Sequence, residues 1–189
     1  AHLLKQQGHN VSAVFMQNWD STDPNCQAEE DLSYARMVSD QLQIPLTTVN
    51  FQEEYWDKVF QYFLDEYSMG RTPNPDVLCN KEIKFKAFLE HALATGSSHI
   101  ATGHYATIKP NSHQYELHQG HDPNKDQSYF LCLLNQYQLA HSIMPLGTMT
   151  KPQVRDMAEK IGLANWSKKD STGICFIGER KFKGFLNQY

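Results

Sequence analysis

An open, mostly parallel α/β sheet flanked by helices is the fold this 189-residue sequence predicts, and three observations predict it. Short apolar runs at 11–16 and 98–102 have the length and β-branched content of strands buried on both faces. Between them lie longer stretches with helical spacing, so strand and helix alternate. Gly103 follows the second run, and a glycine at the carboxyl end of a parallel strand lets a ligand approach the backbone closely. The site is therefore expected along the carboxyl edge of the sheet.

Residues 1–8 read as the last turns of a helix closed by Gly8. No start methionine or opening strand precedes them, and 182–189 stop inside a helical pattern. The chain is read as a fragment of a longer protein. Residues 11–16 form the first expected strand and 17–26 a loop at its carboxyl end. A helix over 28–42 carries Leu32, Ala35, Val38 and Leu42 on one face. Pro45 introduces a strand over 46–50. The helix over 51–67 has an aromatic stripe of Val59, Phe60, Phe63 and Tyr67, which reads as core rather than as a cofactor contact.

The stretch 70–80 holds Pro73 and Pro75, which fix φ and remove backbone donors. An ordered loop is expected there, with a basic amphipathic helix over 81–89 and on to Gly96. Cys79 and Asn80 are then placed at or just before a helix N-terminus. Exposed N–H groups and the dipole there favour an anion and a thiolate, and Lys81 and Lys84 act the same way. Asp76 stands three residues before the thiol, within reach of a proton. Two readings stay open at this level: a nucleophile's platform, or a proline-rich connector with a half-buried cysteine.

Beyond Gly103, His104 reads as a phosphate contact or a structural hydrogen-bonder. Residues 105–119 alternate around Pro110-Asn111-Ser112, a small hairpin. Residues 122–128 form a charged turn opening a helix at Tyr129. Thr150-Lys151-Pro152-Gln153 begins another helix with a capping box and an early proline, ended by Gly162. Residues 168–178 are a loop of small residues around Cys175. Two units are expected: a nucleotide-binding part over 1–145 and a helical, basic extension over 146–189.

Composition is 40% hydrophobic and 12% aromatic, ample for a core, with no run long enough to span a membrane and no signal peptide. The four cysteines are widely spaced, with no C-x-x-C pair, so a zinc ribbon or thioredoxin-like motif is disfavoured and no metal site is expected. A reducing, cytoplasmic compartment fits. Net charge is −4, against general nucleic-acid binding, but it is unevenly distributed. Residues 1–70 carry 3 basic and 11 acidic side chains, whereas 151–189 carry 8 and 4. A basic face built from Lys81, Lys84, Lys86, Lys168, Lys169 and 180–183 would suit a polyanion.

Five stretches together resemble the tRNA-specific 2-thiouridylases, in wording closest to bacterial members. They are Phe15-Met16-Gln17-Asn18-Trp19, 70–81 with Asn74-Pro75-Asp76-Val77-Leu78-Cys79-Asn80 at its centre, Ala101-Thr102-Gly103-His104-Tyr105, 124–131 beginning Asn124-Lys125-Asp126-Gln127, and 170–178 around Cys175. The resemblance implies an adenine-nucleotide α-hydrolase fold, Rossmann-like, here without its first strand and Ser-Gly-Gly-x-Asp-Ser phosphate loop. It implies sulfur transfer to C2 of the wobble uridine of tRNA, with ATP (and magnesium with it) adenylating the uracil oxygen. Cys175 would take sulfur as a persulfide from an upstream carrier. Cys79 would be the second catalytic thiol, attacking either that persulfide or the activated carbon, and a Cys79–Cys175 disulfide would close the cycle. Asn74, Pro75 and Asp76 would meet the base, with Asp76 an acid/base. Lys125, Asp126 and Gln127 would touch tRNA, and the backbones of Met16 and Gly103 would line the ATP site. Without the phosphate loop, the resemblance implies that this stretch alone does not adenylate. Alternatives are another enzyme of the ATP-pyrophosphatase fold, or a tRNA-binding module that is catalytically incomplete.

Overall fold

The structure, a computed structural model, describes residues 1–19, 28–169 and 182–186. The chain opens with α1 (His2–Gln6), and Gly8 follows at a φ of 85°. β1 (Ala13–Gln17) leads to α2 (Ala28–Leu42), which carries Glu29, Glu30 and Asp31 in its first turn, where the helix dipole favours negative charge. β2 (Leu46–Asn50) returns parallel to β1, with Ala13 opposite Leu46 and Gln17 opposite Asn50. The expected strand at 11–16 is shifted because Ala13 N–H bonds the Pro45 carbonyl at 2.8 Å, and pairing starts there. The five residues of β2 then set its length.

Helix α3 runs unbroken over 52–68 with a π-helical stretch, Trp56–Phe60, inside it. Helix α4 runs over 75–94 and is π-helical across Cys79–Ala87. A second parallel pair joins β3 (Ile100–Ala101) to β6 (Ser142–Ile143). Between them β4 (Ala106–Asn111) and β5 (Gln114–Gln119) form the antiparallel hairpin. Its turn falls at Ser112 and His113, since Asn111 still pairs with Gln114 and Ser112 takes a φ of 50°. The helix expected to open at Tyr129 is instead a 3-10 turn, Ser128–Leu131, followed by α5 (Gln136–Ala140) under its own Asn135–Gln138 capping box. Helix α6 (Lys151–Lys160) starts at the expected Thr150–Gln153 capping box and is followed by Gly162 at a φ of 70°. Helix α7 is Phe182–Leu186.

The architecture is α/β, with parallel strands flanked by helices. Two cores fill it. Val59, Phe60 and Phe63 of α3 are fully buried with Phe51, Tyr55, Cys79, Ile83 and Phe185. Phe85, Leu89 and Ala92 pack with Ile100, Ala106, Leu131 and Met144 in the second. Helix α4 feeds both cores: Ile83 points into the first and Phe85 into the second. That sharing makes α4 the part that fixes one strand pair relative to the other.

One expectation is corrected here. Helix α4 begins at Pro75, six residues before the expected start. Asn74 is its N-cap: the side-chain Oδ1 accepts from Asp76 N–H at 3.1 Å and from Val77 N–H at 3.3 Å. Proline at the first helical position suits this, having no N–H to leave unbonded. Cys79 and Asn80 therefore lie inside the helix, where the π-helical stretch begins, not at its N-terminus.

Candidate active site

The carboxyl end of β1 is tied down by aromatics. Trp19 stands edge-on to Phe60 at 4.9 Å and stacks on Trp56 at 5.9 Å. Its carbonyl accepts from Gln52 Nε2 at 2.7 Å. Met16, next to last in β1, packs against the core that holds Cys79. Cys79 is 3% exposed. Asp76, one turn earlier, is half-buried; burial pushes its carboxyl pKa up, and the Lys84 ammonium partly opposes that rise.

Gly103 follows β3. Among the described residues a Cβ placed on it would meet only the Leu146 side chain, at 3.8 Å, so they leave the space beside this backbone open. His104 is buried, with Nδ1 2.8 Å from Thr102 Oγ1 and its ring 5.7 Å from Phe85. Burial, helped by the Lys84 charge, holds its pKa down to about 4, so the imidazole is neutral at pH 7.

The turn at 122–128 is fastened beside this histidine. Asp126 Oδ1 accepts from Ser128 N–H and Oδ2 from Ser128 Oγ–H, both at 3.0 Å. Gln127 bonds the backbone of Tyr105 in both directions. Buried Asp122 accepts from Asn124 N–H at 2.9 Å and from Lys151 N–H at 2.8 Å, tying the same turn to the start of α6. From α4, Asn80 Nδ2 donates to the Phe130 carbonyl at 3.2 Å. Residues 75–80, 103–105 and 125–130 thus meet around α4. Cys175 lies outside the described residues, as do Lys169's neighbours from 170 to 181.

The expected basic face divides into three environments. Lys81 and Lys86 each pair with Glu82 at 3.1 Å. Lys168 is held by Asp31 and Glu30 and lies 4.4 Å over the Tyr34 ring. Lys84 is half-buried and has no ion pair or hydrogen bond among the described residues. Sequence reasoning missed this difference, although the spacing 76, 80, 84 could have signalled a stripe of Asp, Asn and Lys along one helix face. Among the described residues no group of three or more metal-ligating side chains is gathered, and no helix is long and apolar enough to cross a membrane.

The chain is 59% identical over 191 aligned positions to the tRNA-specific 2-thiouridylase MnmA of Bacillus thuringiensis (strain Al Hakam), covering 100% of this chain and 52% of that protein. The proteins of the same name from Bacillus anthracis and Bacillus cytotoxicus match equally well, at 59% over the same span. The chain spans about half the length of these relatives. Residues 1–179 match the model of one family, described as the tRNA methyl transferase HUP domain, and the chain belongs to that family.

Proposed function

We propose that this chain is the nucleotide-binding, thiol-bearing part of an ATP-dependent tRNA-uridine 2-sulfurtransferase of the cytoplasm. The observation that carries the reading is the convergence of 75–80, 103–105 and 125–130 on α4, in a chain 59% identical to 2-thiouridylases. ATP, with magnesium as its counter-ion, supplies the adenylyl group that makes the uracil 2-oxygen a leaving group. The open backbone at Gly103 and the carboxyl end of β1 at Met16 suit a nucleotide lying across the sheet edge.

Asn74, Pro75 and Asp76 receive the base, and Lys125, Asp126 and Gln127 receive the tRNA around it. Asp76 holds or releases a proton there, and its partial burial raises its pKa against the opposing pull of Lys84. Cys175 carries sulfur as a persulfide taken from a carrier protein. Cys79 as thiolate attacks Cys175 Sγ, a Cys79–Cys175 disulfide forms, and bisulfide leaves to displace AMP at C2. In the other version Cys79 attacks C2 itself and AMP leaves; the terminal sulfur of the Cys175 persulfide then displaces Cys79 from C2, and the freed Cys79 thiolate attacks Cys175 Sγ, leaving that sulfur on C2 and forming the same disulfide. Either way an external dithiol reduces the disulfide before the next turnover.

The test uses the full-length protein and two variants, with mass spectrometry of the trapped protein beside quantitation of thiolated tRNA. Cys175→Ser abolishes the persulfide while ATP-dependent activation of the base survives. Cys79→Ser still takes sulfur on Cys175 but makes no thiouridine. Full activity from either variant sinks the reading.

A further inference from the structure

Helix α4 passes through the seam between the two cores, and three polar residues follow one another along it at four-residue spacing: Asp76, Asn80 and Lys84. Two of them are incompletely satisfied. Asn80 is 2% exposed; its Nδ2 is bonded to Phe130, but its Oδ1 is buried with no donor among the described residues. A buried acceptor without a donor costs stability, of the order of 1–3 kcal/mol, and asks for an explanation. Four residues on, the Lys84 ammonium is half-buried and forms no ion pair or hydrogen bond among the described residues, Asp76 being the carboxylate its charge acts on.

The surroundings of Lys84 do not neutralise it. The neighbouring His104 is neutral at pH 7, and the half-buried Asp76 feels the Lys84 charge but forms no ion pair with it. Lys81 and Lys86, by contrast, share Glu82, so the same helix carries two compensated cations and one that is not. A cation without an ion pair and an acceptor without a donor among the described residues, one helical turn apart, match a ligand that presents a phosphoryl group next to a hydroxyl or N–H.

We propose that Lys84 and Asn80 form a nucleoside-phosphate subsite in this seam, Lys84 holding a phosphoryl oxygen and Asn80 Oδ1 accepting a ribose hydroxyl or base N–H. Lys84 then serves the interior of the site rather than the outer face that Lys81 and Lys86 share. Two sources can supply the ligand: a free adenine nucleotide, or a nucleotide of tRNA drawn into the site. The inference rests on the function proposed above.

The test again uses the full-length protein, with Lys84→Met, which keeps the stem and removes the charge, Lys84→Arg, and Lys81→Met as a paired-cation control. AMP binding is measured by calorimetry without tRNA, and tRNA binding is measured over a range of salt. If the free nucleotide is the ligand, Lys84→Met weakens AMP binding about tenfold or more and Lys84→Arg restores most of it. If a tRNA nucleotide is the ligand, AMP binding is unchanged, while tRNA binding weakens and its salt slope falls by about 1. Lys81→Met leaves AMP binding unchanged in either case. Lys84→Met with unaltered AMP binding and an unaltered tRNA salt slope overturns the proposal. Lys84→Gln, checked for an unchanged melting point, replaces the Met variant if that one fails to fold. Neither binding measurement needs turnover, so a protein that makes no thiouridine can still pass this test, and an active one can fail it.

Discussion

Tyr105 and Gln127 hold each other through two hydrogen bonds: Tyr105 N–H donates to Gln127 Oε1 at 3.0 Å, and Gln127 N–H donates to the Tyr105 carbonyl at 3.2 Å. The pair fastens the turn at 122–128 to the residue next to His104. Tyr105 is buried, so its N–H has no water to turn to if the glutamine side chain is removed. Gln127→Ala should therefore destabilise the protein by about 1–2 kcal/mol, read from the urea midpoint, besides any effect on tRNA. An unchanged midpoint with weaker tRNA binding would show a side chain that serves the nucleic acid alone.

Two glycines of this region are opposites. A Cβ on Gly147 would come within 2.1 Å of the Ala106 carbonyl oxygen, a backbone atom that cannot swing aside. Gly147→Ala should cost about 3 kcal/mol or more and lower soluble yield. At Gly103 the added Cβ would meet, among the described residues, only the end of Leu146, at 3.8 Å. Gly103→Ala should thus leave the melting temperature within about two degrees of the parent. Its ATP affinity should fall if a nucleotide lies against that backbone. Loss of stability at Gly103, or tolerance at Gly147, would contradict the packing described here.

The elements with strong periodicity were legible in the sequence. The stripe of Val59, Phe60 and Phe63 is buried as its spacing requires, and the Thr150–Gln153 capping box is formed. Where the reading failed, the deciding force was not local. β6 is two residues long, too short for any alternation, and pairs with the expected strand at Ile100 because Gln138 and Ser142 are held to α4 and α5. The start of α4 was misjudged for a different reason. Pro73 and Pro75 suggested a loop, but an asparagine followed by proline is also an N-cap signature, and Asn74 uses it. Of the candidate site, Asp76, Cys79, Gly103 and Gln127 were legible as motif residues. Their joining through Asn80 and Tyr105 was not, because it runs through backbone atoms that carry no residue-type signal.

The cap at Asn74 separates two roles for one residue. Its Oδ1 holds two N–H groups of the helix that carries Cys79, so Asn74→Ala should destabilise by about 1 kcal/mol. Asn74→Asp and Asn74→Ser keep an acceptor there and should melt close to the parent. If the amide also meets the target base, as proposed, these two variants stay folded but lose thiolation. Full activity in Asn74→Ser would confine the residue to capping.

His104 makes the stability depend on pH in a window that can be stated. Its pKa in the folded protein is held down to about 4 from an ordinary 6.5, chiefly by burial and secondarily by Lys84. Between those values the unfolded chain takes up a proton that the folded one refuses. Stability due to this group is complete above pH 6.5 and is lost as pH falls toward 4. The full loss is about 3 kcal/mol, an upper bound that partial opening of the site would reduce. Asp76 acts with the opposite sign lower down. Its folded pKa is raised above 3.8, so the folded state holds the extra proton there and stability rises slightly as that carboxyl protonates. The wild-type protein should therefore weaken steeply from pH 6.5 to about 4.5, where the histidine dominates. His104→Gln removes the titration, so its urea midpoint should fall less over the same range. Parallel pH profiles for the two proteins would mean that the histidine is accessible to protons in the folded state, and the burial argument for a neutral imidazole beside Lys84 would fail.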